Sequence, residues 1–307
     1  TSGMAAIGLC LELFEEGSHI LCTEDLYGGT VRMFESIGEK RGVTFSYVDT
    51  SEIELVRKSI RKETKALYIE TPSNPTMKVT DFAAMRKIAD EYGLLIIADN
   101  TFLTPYFQKP LTLGADLVVH SGTKFLGGHN DVLAGFACIK GKGLSEKLRY
   151  TYKTVGCCLP PFDSFLVLRG IKTLSVRLER QQENAKKIAL WLKDRPEVKA
   201  VYYTGLPEHP GYEINQKQAS GCGSMISFKV DSEKRARKLL ESVKLISYAE
   251  SLGGVESLIT YPMLQTHGDV PVETRERLGI TEDFLRMSVG IENAEDLIAD
   301  LEQALAE

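Results

Sequence analysis

Six short apolar runs punctuate the first 140 residues, at Ile20 to Cys22, Val43 to Val48, Ala66 to Ile69, Leu94 to Ala98, Leu117 to His120 and Gly135 to Ile139, and amphipathic stretches separate most of them. Runs this short and this continuous suit strands buried on both faces, and the intervening stretches supply the helices that cover them. The pattern predicts an α/β fold with a largely parallel sheet and helices on both faces. Ligands of such sheets gather outside the carboxyl ends of the strands, so the residues just past each run are where chemistry is expected.

Asp99 closes the fourth run, and Lys124 follows the fifth in Ser121-Gly122-Thr123-Lys124. An aldehyde cofactor needs an amine for a Schiff base, a carboxylate against its pyridine nitrogen, and hydroxyls and unpaired N–H groups around its phosphate. Hydroxyls are present at Ser121 and Thr123, and Thr1-Ser2-Gly3-Met4 opens onto a helical pattern from Ala5 to Glu16, whose first-turn amides at Gly3 and Met4 lack partners within the helix. Singly, each feature has an ordinary explanation: a surface lysine, a turn aspartate, a helix cap. Together they point to pyridoxal 5'-phosphate (PLP).

Beyond residue 140 the pattern changes. Pro160-Pro161 breaks the chain before a helical pattern running from Asp163 to Lys193, read as one helix that bridges two domains, residues 1–170 and 171–307. Val198 to Tyr203, Ser224 to Val230, Leu245 to Tyr248 and Phe284 to Val289 are then expected strands, with helices at Glu233 to Val243 and Ala294 to Ala306, giving a smaller α+β unit.

With 307 residues the chain can enclose an active site. A net charge of −5 and the lack of a basic, aromatic-interleaved run argue against nucleic acid as a partner. No stretch reaches the roughly twenty apolar residues of a membrane helix, and no charged-apolar-small leader opens the sequence, so a cytoplasmic setting with a small-molecule partner is expected. The six cysteines show no CxxC spacing and are expected to be mostly buried thiols. The five histidines show no HExxH, so no metal site is expected.

Ser2-Gly3-Met4-Ala5-Ala6, Asp25-Leu26-Tyr27-Gly28-Gly29-Thr30, Glu70-Thr71-Pro72-Ser73-Asn74-Pro75, Ala98-Asp99-Asn100-Thr101-Phe102 and His120-Ser121-Gly122-Thr123-Lys124 resemble the cystathionine γ-synthase and cystathionine lyase family. Ala249-Glu250-Ser251-Leu252-Gly253-Gly254 and Leu285-Arg286-Met287-Ser288-Val289-Gly290 extend the resemblance almost to the last residue. It implies the PLP-dependent transferase fold of type I, with a seven-stranded sheet and a smaller C-terminal domain.

The resemblance also implies roles. Lys124 is the Schiff-base lysine and proton carrier, Asp99 the pyridine partner, Asn74 the residue on the ring oxygen, and Tyr27 a ring-stacking residue and base. Ser251 helps fix the substrate carboxylate and the lysine, Arg286 takes that carboxylate, and Glu250 attracts a second amino group at the substrate's distal end. Glu250 and the segment Thr260 to His267 look most like bacterial cystathionine γ-synthases, which replace the acyl group of an O-acylhomoserine with cysteine sulfur; the γ-lyases and β-lyases are close alternatives. A non-catalytic relative kept for assembly or regulation would be expected to lack Lys124, Asp99 or Arg286. Family members form dimers of dimers, and a segment ahead of the Ser-Gly-Met motif carries a tyrosine and an arginine to a neighbouring subunit's phosphate. Neither is assignable here, so weak cofactor binding and incomplete association are expected of this sequence made alone.

Overall fold

The computed structural model describes residues 1–268 and 270–306. All six apolar runs form strands of one sheet: β1 (His19–Thr23), β2 (Thr44–Val48), β3 (Thr64–Glu70), β4 (Leu95–Asp99), β5 (Leu117–Ser121) and β6 (Gly135–Ile139). Their order is β2-β1-β3-β4-β5-β6, parallel except for the antiparallel β5–β6 pair. Where seven strands were expected, the described residues supply six to this sheet, one for each apolar run.

Alternation explains why these runs are apolar throughout. Ala66 and Tyr68 of β3 face a core shared with helix Gly3–Leu11, while Leu67 and Ile69 face another shared with helix Phe82–Tyr92. The second helix is delimited locally: the Asp81 carboxylate accepts from the amides of Ala83 (2.8 Å) and Ala84 (3.1 Å), and Gly93 ends it at φ 67°. Such a cap is worth about 1 kcal/mol.

The first helix begins at Gly3 with Ser2 as its cap, and it stops at Leu11 rather than continuing to Glu16. The amides of Leu13 and Phe14 turn back three residues, to Cys10 and Leu11 (both 3.1 Å), which tightens the chain and leads it into β1. The expected single helix from Asp163 to Lys193 is two, Pro161–Ile171 and Leu174–Lys193. At the break, the Gly170 carbonyl accepts from the Thr173 amide three residues on (3.1 Å) and also from the Arg177 guanidinium (2.9 Å) and the Thr173 hydroxyl (3.1 Å), so a tightened turn and side chains take the place of continued α-helical bonding there.

The second sheet holds β7 (Val198–Tyr202), β8 (Met225–Val230), β9 (Ser247–Tyr248), β10 (Leu258–Thr260) and β11 (Phe284–Ser288), ordered β7-β8-β11-β10-β9 and antiparallel except for β9–β10. Helices Leu174–Lys193, Glu233–Ser242 and Ala294–Ala306 close its core, which includes Leu192, Leu239, Phe228, Leu285 and Leu301. Strand β10 was not anticipated from the sequence.

The cysteines depart from expectation: Cys10 and Cys22 are buried, Cys157 and Cys222 half-buried, and Cys138 and Cys158 exposed, all six being free. Cys138 lies on β6, an edge strand with incomplete cover. No described helix is long and apolar enough to cross a membrane.

Candidate active site

A cavity of about 170 Å³ lies past the carboxyl ends of β3, β4 and β5, and its walls include Gly3, Met4, Tyr27, Asn74, Asp99, Ser121, Thr123 and Lys124. Seven separate stretches of chain meet there, the last two through Leu133 and Leu252. The parallel register explains part of this, since Glu70 and Asp99 end adjacent strands as direct neighbours.

Asp99 is fixed by Thr101, whose amide (3.0 Å) and hydroxyl (2.6 Å) both donate to Oδ1. Burial raises the carboxyl's pKa and the two Thr101 bonds oppose the rise. The Thr101 hydroxyl also accepts from the Ser121 amide (2.9 Å), tying the aspartate loop to the strand that leads to the lysine.

Lys124 lies within a π-helical turn, Gly122–Leu126, but its own backbone (φ −91°, ψ −130°) departs from helical values. Its ammonium donates to the Ser251 hydroxyl at 2.9 Å. Burial pulls the lysine down to about 8, the Arg286 charge adds to the fall, and Glu250 opposes it.

Arg286, on β11, is 2% exposed. It donates to Asn74 Oδ1 (2.7 Å) and to the Ser251 carbonyl (3.1 Å), while its Nε is buried with no partner. Burial lowers its pKa to about 10, against Glu250, Glu70 and Tyr27, so it remains a cation at neutral pH. Ser251 therefore contacts both cations, its hydroxyl meeting one and its carbonyl the other, and it adopts φ 85°, a left-handed conformation costly for a residue with a side chain.

The start of helix Gly3–Leu11 packs on Ser121 so closely that a Cβ on Gly3 would lie 2.8 Å from that of Ser121. The first-turn amides and the Ser121 hydroxyl thus share one wall. Tyr27 is 41% exposed, and its amide donates to Glu70 Oε2 (3.0 Å). Glu250 does not line this cavity; it is exposed on a neighbouring one of about 510 Å³, shared with Thr123, Asn130 and Ser251.

The sequence reading assigned no site role to Glu70, Thr101 or His120, which also line the cavity. Glu70 carried a usable signal, a carboxylate ending an apolar strand as Asp99 does; burial, with the Asp99 charge, raises it well above the usual range. Burial lowers His120 to about 4, so its ring is neutral at physiological pH.

The chain matches the description "Cys/Met metabolism PLP-dependent enzyme" over residues 1–306. It belongs to that family. It is 50% identical over 305 residues to a cystathionine gamma-lyase of Bacillus subtilis, covering 99% of this chain and 80% of the relative. It is 46% identical over 307 residues to a cystathionine gamma-synthase/O-acetylhomoserine (thiol)-lyase of the same organism, covering 100% and 78%. The crystal structure of a cystathionine gamma-lyase from Lactobacillus plantarum complexed with L-serine superimposes with a TM-score of 0.97 at 44% identity, covering 99% of this chain and 80% of that one.

Family membership makes this a PLP-dependent enzyme of sulfur amino acid metabolism, and the donor set fits the cofactor. A lysine of lowered pKa, a half-buried carboxylate with its second oxygen uncommitted to Thr101, and two hydroxyls beside a helix N-terminus surround one cavity. These match the amine, pyridine and phosphate requirements in turn.

Proposed function

We propose that this enzyme cleaves cystathionine by elimination at a carbon–sulfur bond. The carrying observation is Ser251, which meets the Lys124 amine with its hydroxyl and the Arg286 guanidinium with its carbonyl. An α-amino acid between those cations would meet a proton acceptor for Cα–H and a fork for its carboxylate.

Pyridoxal phosphate, when bound, supplies an electron sink that acidifies the substrate Cα–H. Asp99 would supply a negative charge for the ring nitrogen, Asn74 an amide for the ring oxygen, and Tyr27 an aromatic face for the ring. Ser121, Thr123 and the amides of Gly3 and Met4 would hold the phosphate. Lys124 would hold the cofactor through its amine, and the same amine, free at a pKa of about 8, would accept the substrate Cα proton. Arg286 pairs with the carboxylate, and Glu250, on the neighbouring cavity, attracts the distal amino group of cystathionine.

The gamma-lyase relative at 50% identity favours elimination. γ-Replacement on an O-acylhomoserine, the reading expected from Glu250 and residues 260–267, retains support from the synthase relative at 46%. Incubation with cystathionine alone, and separately with O-acylhomoserine plus cysteine, distinguishes them: a 2-oxo acid and a thiol from the first mixture support elimination, and cystathionine formed only in the second supports replacement.

Two further parts belong to this proposal. Residues 1–170 and 171–307 act as two domains, each with its own sheet and core. The chain also works as a homo-oligomer in the cytoplasm: helix Pro161–Ile171 leaves Phe162, Phe165, Leu168 and Ile171 exposed, an apolar face suited to a second copy, and six free thiols suit a reducing compartment.

A further inference from the structure

The turn Ser73–Thr76 carries Asn74 and is held from two sides. Asp25, buried just past β1, accepts through Oδ2 from the Ser73 hydroxyl (2.7 Å), the Thr76 amide (3.0 Å) and the Thr76 hydroxyl. Across the turn, residues of the second sheet grip it: Arg286 bonds Asn74 Oδ1, and the Ser227 hydroxyl of β8 donates to the Pro75 carbonyl (2.6 Å).

A third element reaches the same place. His267, in the turns after β10, is 2% exposed; its Nδ1 lies 2.9 Å from the Thr266 hydroxyl, and its Nε2 faces Asp25 Oδ1 at 4.0 Å. Neither Nε2 nor Oδ1 has a hydrogen-bond partner. Two complementary polar atoms, buried and open toward each other, lose free energy that a shift of about 1 Å into bonding distance would recover. The same turns press on the cofactor side as well: a Cβ on Gly28 would lie 2.7 Å from the Thr266 carbonyl, a separation that only glycine allows next to Tyr27.

We propose that His267 and Asp25 form a positioning pair that docks the turns after β10 onto Ser73–Thr76, and so holds Asn74 and Arg286 in register for the substrate carboxylate. His267 donates its Nε2 proton to Asp25 Oδ1, and neither residue lines the cavity of Lys124. This rests on the reading of Arg286 as the carboxylate site.

The test uses cofactor-loaded protein titrated with glycine, the smallest amino acid bearing both amine and carboxylate, followed by cofactor absorbance. His267→Ala should weaken glycine binding about tenfold, the scale of one buried hydrogen bond, with cofactor content unchanged. His267→Gln, which keeps a donor at that reach, should stay within about threefold of wild type. In cofactor-free protein, deuterium uptake over residues 73–76 should rise in the alanine variant and not in the glutamine variant, because the Thr76 amide loses its organised acceptor. If His267→Ala does not fold, His267→Asn, whose amide stops short of Asp25, replaces it. Equal losses in the donor-keeping and donor-lacking variants, or wild-type glycine affinity in both, overturn the pair while normal wild-type binding leaves the carboxylate reading intact. A wild-type protein that takes up cofactor but does not respond to glycine overturns that reading together with the pair.

Discussion

In the first sheet, Glu70, Asp99 and Ser121 end parallel strands and Lys124 follows within one turn, so chain direction alone brings them together. Arg286 instead enters from the middle of an antiparallel strand and reaches Asn74 across 212 residues of sequence. The cavity around Lys124 is assembled largely by strand ends, whereas Arg286, which does not line it, reaches its wall residue Asn74 by docking of the second sheet on the first sheet's loops. The difference teaches where each proposed function can be broken: cofactor chemistry should fail through point changes around the first sheet, while the proposed recognition of the carboxylate should depend on how the two sheets meet.

The largest effect is expected for Lys124→Ala, which removes both attachment and the proton carrier; the rate of cystathionine turnover should fall by at least about a thousandfold. Asp99→Asn keeps size and shape but removes the charge, so exchange of the substrate Cα proton into deuterated water should slow roughly a hundredfold. Both changes should leave the second sheet folded, and loss of its structure by circular dichroism would break the comparison.

Arg286→Lys tests the second sheet's contribution. It should raise KM about tenfold or more, by losing the bidentate fork, while cofactor content stays near wild type. Cofactor loss with unchanged KM would make Arg286 a structural residue.

A smaller, pH-dependent effect sharpens the contrast between the two cations. Lys124 is lowered to about 8 and Arg286 to about 10, so only the lysine sheds its proton near neutrality. Attachment of added PLP requires the neutral amine, so its rate should climb with pH and level off above about 8. The same shift has a sign for stability: between about 8 and the ordinary lysine value, the unfolded chain binds a proton that the native chain does not, so this group makes cofactor-free protein more stable as pH rises through that window. Lys124→Met should abolish that gain, measured as the difference in Tm between pH 8 and pH 10.

The strands of the first sheet were legible because burial on both faces makes each run continuously apolar, as in Ala66 to Ile69. The meeting of Lys124 and Asp99 at one cavity was legible because both lie just past such runs, at one edge of the sheet. What escaped depends on contacts beyond a local pattern: the Arg286 guanidinium meets Asn74 across 212 positions, and the helix break near Thr173 involves Arg177 reaching back to Gly170. Strand β10 is three residues long, too short to show a period of its own. Glu70 stood within a quoted motif, yet its place beside Asp99 follows from strand register, which one sequence does not reveal.

The central claim is that Lys124, and no other amine, carries the cofactor in this cavity. Reduction of PLP-loaded protein with borohydride, followed by peptide mapping, tests it directly. The account predicts a single reduced pyridoxyl label on Lys124, absent in Lys124→Ala; a label on any other lysine of the wild-type chain would contradict it.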